Sequence, residues 1–397
     1  MRPSLRQVLF RSAGLDLNFA GGVFSLNNTR TASPANIPGW SFSRTDTNGT
    51  ATALDLAGNV IQFATGVPRI TNRGILVEES RTNLVLQSRD LTNAAWTKRG
   101  TATVTADAGQ TRPDGTTGAM LVAGVNSGTN DVFQAVAATA LARYEPSFHI
   151  KKVSATGALL LSNPGDALLG TWSIDLSLVG SGWERITRSH PAVTITSEFT
   201  GTALSTCGLH FRKTASGAIS FYVDFSQLEL GAFATSPIIT TGAAGTRGAD
   251  VPLITGLTIT PPFTVFGEYA VSGNDATNFR RVAGLWNTGE TIEHAIYQRH
   301  TNNLVRAFVT TDADSTIGTG STTAVNKVAV RFATNDLTGS LNGAAVTTDS
   351  SVAVTTMTRM YVGTSVAATP LLNGYVQRIR VLPFAATDAQ LQALTAP

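Results

Sequence analysis

Trp172-Ser173-Ile174-Asp175-Leu176-Ser177-Leu178 alternates apolar and polar side chains without a break. Successive side chains of a strand point to opposite faces. The run therefore predicts a half-buried strand with Trp172, Ile174, Leu176 and Leu178 inward. The same period of two recurs along the chain. Lys327-Val328-Ala329-Val330-Arg331-Phe332 puts Val328, Val330 and Phe332 on one face. Phe263, Val265, Gly267, Tyr269 and Val271 form another row, and Leu209 and Phe211 a third, with His210 between them facing solvent. Ile219, Phe221, Val223 and Phe225 share a face, but beyond Ser226 the apolar positions become Leu228 and Leu230. A one-residue flip predicts a bulge or a strand that changes partners.

Turn chemistry agrees with strands. Asn342-Gly343 reads as a two-residue hairpin turn, because that turn needs positive φ at both centres. Thr214-Ala215-Ser216-Gly217 reads as a second hairpin between the Phe211 and Ile219 strands. One helix is expected near the end, where Thr387-Asp388-Ala389-Gln390 has the form of a capping box followed by Leu391 and Leu394. The fold class is all-β: two antiparallel β-sandwich (jelly-roll) domains in tandem after a short N-terminal segment, with one short C-terminal helix. Boundaries near Glu78-Glu79-Ser80 and in the Gly/Thr/Ala stretch from Ser236 to Val251 divide the chain into 1–78, 79–250 and 251–397. Each larger piece is long enough to bury a core of its own.

The 397 residues carry 14% charged and 42% hydrophobic residues, with a formal net charge of +3. Charge this sparse argues against long surface helices, which rely on Glu and Lys pairs. The apolar content argues against disorder. The net charge is too small for a nucleic-acid-binding surface. Cys207 is the one cysteine, so no internal disulfide forms, and its strand-like context reads as core. Val8-Leu9-Phe10, closed by Arg11, is too short for a secretory h-region, and no apolar run spans a membrane. Synthesis and folding in a cytoplasm are expected. Arginine greatly outnumbers lysine, whose positions are Lys98, Lys151, Lys152, Lys213 and Lys327. This bias suits subunit contacts or acidic glycans, and the composition of a genome explains it equally well.

Gly74-Ile75-Leu76-Val77-Glu78-Glu79-Ser80-Arg81-Thr82-Asn83-Leu84, followed by Asn93-Ala94-Ala95-Trp96, resembles a motif of tailed-phage and prophage structural proteins. Leu15-Asp16-Leu17-Asn18-Phe19, Phe42-Ser43-Arg44 and Val67-Pro68-Arg69-Ile70 look like the N-terminal region of that family. The stretch from Ser236-Pro237 through Arg247 to Asp250 is similar to its threonine- and glycine-rich segment. Gly182-Trp183-Glu184-Arg185 and the run from Phe221 to Gly231 resemble the closing strands of a carbohydrate-binding-module-like jelly roll. Leu341-Asn342-Gly343, Tyr361-Val362-Gly363 and the run Leu372 to Val381 are similar to laminin-G/concanavalin-A-like sandwiches.

The resemblance implies a virion surface protein: a tail or head fibre or spike, of a phage, a prophage or a gene-transfer particle. Its implied partners are capsid, portal or tail components and a host-surface glycan. The implied assembly is a homo-oligomer, with a trimer favoured, and neither nucleic acid nor membrane insertion is called for. The implied location is the virion surface after synthesis in the bacterial host cytoplasm. Residues 1–78 would attach or assemble the subunit. A purely structural decoration protein and a polysaccharide depolymerase are the alternatives.

Sugar binding by a sandwich needs flat aromatic rings and planar polar groups. The candidates are Trp286, Tyr222, Trp172 and Trp96, with Tyr144 beside them. Core packing competes for Trp172, and Trp183 is assigned to the core. Calcium occurs in both sandwich families, and Asp224, Asp312 and Asp314 are its candidate oxygen ligands. Turn-forming Asp residues are the competing reading. His149, His190, His210, His294 and His300 are scattered, with no H-E-x-x-H, G-x-S-x-G or P-loop. Glu290 and Glu293 are the nearest thing to a paired-carboxylate site, and they read as a solvated loop. No enzyme is expected.

Overall fold

The computed structural model describes residues 14–140, 142–154, 157–164, 170–200, 206–213, 215–272, 279–310, 313–366, 368 and 371–397. The chain is nearly all β, with antiparallel sheets and one short helix at the C-terminal end. It divides into two compact units. Unit 1 holds the chain up to Arg44, Gly66–Glu79 and Ala249–Pro397, and unit 2 holds Thr45–Thr65 and Ser80–Gly248. The stretch 1–78 is thus shared between the units. Long-range pairing is the reason. Leu15–Asn18 and Gly74–Val77 each pair with Gly374–Leu382, while Thr50–Leu54 and Val60–Ala64 form a separate hairpin.

Unit 1 stacks a ten-stranded sheet on a seven-stranded one. Their inner faces meet in one core that includes Leu17, Val265, Val330 and Ile379 from the first sheet and Leu285, Ile296 and Val305 from the second. His294 also faces inward, with its ring stacked on Phe332. The helix Asp388–Thr395 closes the outer side of the ten-stranded sheet with Leu391 and Leu394 over Phe266 and Ala329. Thr387 and Gln390 make the expected reciprocal cap.

Unit 2 packs a six-stranded sheet against another seven-stranded one. Strand Thr171–Asp175 carries Trp172 and Ile174 into the core. The strand is shorter than its alternation predicts. Asp175 accepts from the Ser177 amide and hydroxyl, the chain turns, and Leu178 is left 57% exposed. The phase flip at Ser226 is present as a bulge, with Phe225 at φ 48° and a register shift against Tyr144–Ser154. His210 does not face solvent. It is buried on the back of the six-stranded sheet, with Nε2 2.9 Å from Asp131. Asn342-Gly343 has the expected positive φ values, but the strands Asp336–Leu341 and Thr347–Asp349 are joined by a longer loop.

The motif residues build a framework. In unit 1, Arg44, Arg69, Glu78 and Asp250 converge from three chain segments. Arg44 donates to Asp250 Oδ1 at 3.3 Å, Arg69 bridges Asp250 and Glu78, and the Glu78 amide donates to Asp250 Oδ2 at 2.9 Å. In unit 2, Asn83 is wholly buried. It donates to the carbonyls of Ser226 and Ile238 and accepts from the amides of Val85 and Leu228. Arg247 donates to the hydroxyls of Thr235 and Ser236. Buried polar groups must be paired, and here the pairs tie distant segments together.

Candidate functional site

The outer face of the seven-stranded sheet of unit 2 carries a set of half-exposed aromatic and polar side chains. Strand Ile219–Leu230 buries Ile219, Phe221 and Val223, so Tyr222 stands on the opposite face. Tyr222 pairs in register with Lys151 of strand Tyr144–Ser154. Strand Thr103–Thr111 leaves its ladder between Asp107 and Thr111. This bulge brings its side chains across the face. The Tyr222 hydroxyl donates to Asp107 Oδ2 at 2.5 Å, and the Gly109 amide donates to Oδ1 at 2.9 Å. Lys151 Nζ donates to Gln110 Oε1 at 3.0 Å. Trp183 donates its indole N–H to the Thr111 carbonyl at 2.7 Å. Its ring centroid lies 6.4 Å from that of Tyr222, tilted by 53°.

All five of these side chains (Asp107, Gln110, Lys151, Trp183 and Tyr222) are half-exposed. The hydrogen bond from Tyr222 holds the Asp107 carboxyl below its ordinary value, and the same bond raises the Tyr222 phenol. Asp107 is therefore an ionised acceptor at neutral pH. Its oxygens accept from the Tyr222 hydroxyl and from the Gly109 and Gln110 amides. Two tilted rings beside a carboxylate, an amide and an ammonium form an open polar-aromatic patch on the sheet face.

Of the aromatics that the sequence offers as sugar-binding candidates, Tyr222 alone lies in this patch. Trp96 and Trp172 are each 1% exposed core side chains, stacked on Phe211 and against Phe199, so neither offers a face to a ligand. Tyr144 is likewise buried, and its hydroxyl accepts from the Thr139 amide. Trp286 ends strand Phe279–Trp286 in unit 1 and is half-buried beside Glu293. Trp183, which the sequence reading assigns to the core, is half-exposed and stands beside Tyr222 in the patch. The Gly180-Ser181-Gly182 turn just before strand Glu184–Ile186 is the signal that would have placed it at a sheet edge. Asp107 had no signal beyond an ordinary alternating strand.

The proposed metal ligands are engaged elsewhere. Asp224 is buried and accepts from Arg89 and Arg112. Asp314 accepts from Tyr297 and lies against Arg299 and Arg306. A guanidinium beside a carboxylate takes the place and the charge that a cation would need. Asp312 lies outside the described residues. Among the described residues, no group of three or more His, Cys, Asp and Glu side chains is arranged to hold a metal. Glu290 lies in the turn between Phe279–Trp286 and Glu293–Arg299, as expected, and bonds Arg359 and Tyr361, whereas Glu293 opens the second strand, buried against Arg281 at 2.6 Å, and is not in the loop. Burial pushes Glu293 up to about 7. Cys207 is buried, and desolvation pushes its thiol up to about 11, which leaves it unreactive at neutral pH. No described helix is long and apolar enough to cross a membrane.

No family model and no curated protein matches the chain. Several solved structures do. The carbohydrate-binding module CBM40 of the Ruminococcus gnavus IT-sialidase is 13% identical, with 36% of this chain and 94% of that one covered and a TM-score of 0.29. The family 11 carbohydrate-binding module of Clostridium thermocellum is 14% identical, with 38% and 95% covered and a TM-score of 0.24. Domains LG4-5 of the mouse laminin alpha1 chain are 9% identical, with 81% and 95% covered and a TM-score of 0.25. Likeness at this level carries no inference about ligand or activity.

Proposed function

We propose that the chain is a non-catalytic carbohydrate-binding subunit of a virion surface, a tail or head fibre or spike that helps the particle attach to its host. The observation that carries the binding part is the Trp183–Tyr222 pair. Two half-exposed rings lie on an open sheet face, flanked by Asp107, Gln110 and Lys151. Aromatic faces accept the C–H side of a pyranose, and planar polar groups at their rim take its hydroxyls. The virion part is supported by the resemblance of Gly74–Leu84 and of Ser236–Asp250 to phage structural proteins. On this reading the partners are capsid, portal or tail components and a host-surface glycan. The subunit forms a homo-oligomer, a trimer by preference, and several weak sites act together. It is made in the host cytoplasm and ends on the particle. Residues 1–78 take part in attachment to the particle.

Purified chain should bind host cells or their isolated surface polysaccharide, and Trp183→Ala should weaken that binding about ten-fold, the equivalent of about 1.4 kcal/mol. Absence of binding by the parent protein would sink the carbohydrate reading. Reducing ends released from the polysaccharide would sink its non-catalytic half.

A further inference from the structure

Among the described residues, no carboxylate pairs with Lys151 of the patch. The sheet runs in the order Thr103–Thr111, Thr117–Val125, Ile219–Leu230, Tyr144–Ser154, so Asp107 and Lys151 rise on opposite sides of Tyr222. On the first side, Asp107 accepts from the Tyr222 hydroxyl and from the Gly109 and Gln110 amides. Arg89 lies on Asp114 and Asp224 at 2.8 and 3.0 Å, and Arg112 on Asp224 at 3.3 Å. Arg185, in register with His149, donates to the Ser147 hydroxyl and the Thr235 carbonyl. Glu184 follows Trp183 in sequence but pairs in register with the core residue Ile150, so it points to the other face, where it meets His190 at 2.9 Å. The half-exposed ammonium of Lys151 donates to a neutral amide oxygen, Gln110 Oε1, at 3.0 Å. An ammonium has three donors, so two stay open to a ligand.

Resting on the carbohydrate reading above, we propose that Lys151 makes this patch prefer acidic sugars, its ammonium taking the carboxylate of a uronic or sialic acid residue stacked on Trp183 and Tyr222. Lys151 and Tyr222 stand directly opposite each other on neighbouring strands. That places their Cβ atoms about 5 Å apart, within the span of one sugar ring. An ammonium donating to a carboxylate makes a charge-assisted bond, stronger than the same bond to a neutral hydroxyl. Asp107 opposes this only weakly, because it rises across Tyr222 and is half-exposed, where water and salt screen its charge. Lys151 is therefore the specificity-determining residue, and the two rings supply contact that is indifferent to charge.

The test uses the full chain at neutral pH and low salt. Immobilised polygalacturonate, hyaluronate and polysialic acid are the acidic probes, their methyl esters are the matched neutral ones, and dextran and yeast mannan are further neutral ones. The parent protein is expected to bind at least one acidic polymer about five-fold more tightly than its methyl ester, the contribution of one solvent-exposed ion pair. Lys151→Met should bring that ratio to about one, and Lys151→Arg should keep it. Added salt should shrink it. Trp183→Ala should weaken binding of both acid and ester and leave their ratio unchanged. A methyl ester bound by the parent protein as tightly as its acid overturns the proposal, as does a ratio that Lys151→Met leaves unaltered. Acidic binding that Trp183→Ala does not weaken overturns it too, and so does retention by dextran or mannan without retention by any acidic probe. In each of these cases glycan binding itself still stands. Failure of every probe to bind overturns the carbohydrate reading and this inference with it.

Discussion

Replacing Asp250 by alanine removes the shared acceptor of a buried four-charge cluster. Arg44 and Arg69 balance Glu78 and Asp250, and the side chains of Arg69 and Asp250 are 0% exposed. The substitution leaves one net positive charge where water cannot reach it. Removing one partner of a buried pair costs roughly 3–5 kcal/mol. The main-chain N–H of Glu78 loses its acceptor at 2.9 Å as well, which places the expectation at the upper end. For a folding unit of about 200 residues, about 5 kcal/mol lowers Tm by about 10–20 °C. Differential scanning calorimetry of the full chain reads this directly. Asp250→Asn keeps an acceptor for Glu78 without the charge and should fall between parent and alanine variant. Adding Arg44→Met to Asp250→Ala removes the excess charge and should recover part of the loss. The reasoning fails if Asp250→Ala shifts Tm by less than about 3 °C. It fails also if the double variant is no more stable than the sum of its single substitutions, because residues in one network must couple.

Three further outcomes are expected. Glu293 is raised by burial from 4.5 to about 7, so its contribution is complete below about pH 4.5 and is lost as pH rises through 7. Chemical denaturation from pH 5 to 8 should show unit 1 losing up to about 3 kcal/mol, and Glu293→Gln should flatten that slope. A fragment of residues 249–397 should not fold alone, because Gly374–Leu382 would lose both Leu15–Asn18 and Gly74–Val77. Dispersed amide resonances from that fragment would contradict this. A calcium chelator should leave Tm unchanged, since Asp224 is held by Arg89 and Arg112. A fall of more than about 3 °C would restore a structural ion.

The sequence by itself determined the local features. Alternation at Val328, Val330 and Phe332 reports a period of two, which only strands satisfy. The capping box at Thr387 and Gln390 and the phase flip after Ser226 are likewise local, because each is decided by residues within one turn or one strand. Tertiary structure decided what depends on distant partners. Alternation shows that two faces differ, but not what covers the outer one. His210 and Leu178 therefore exchanged their expected environments, one covered by Arg99 and Phe133 and the other released by a turn. Trp96, Trp172 and Trp183 are alike as residues, yet two fill the core and one stands half-exposed on a sheet face. The bulge that carries Asp107 to Tyr222 joins positions 115 residues apart. Pairing over that range is settled by which faces the assembled sheets can bury together. For the same reason the stretch 1–78, continuous in sequence, is divided between two sandwiches.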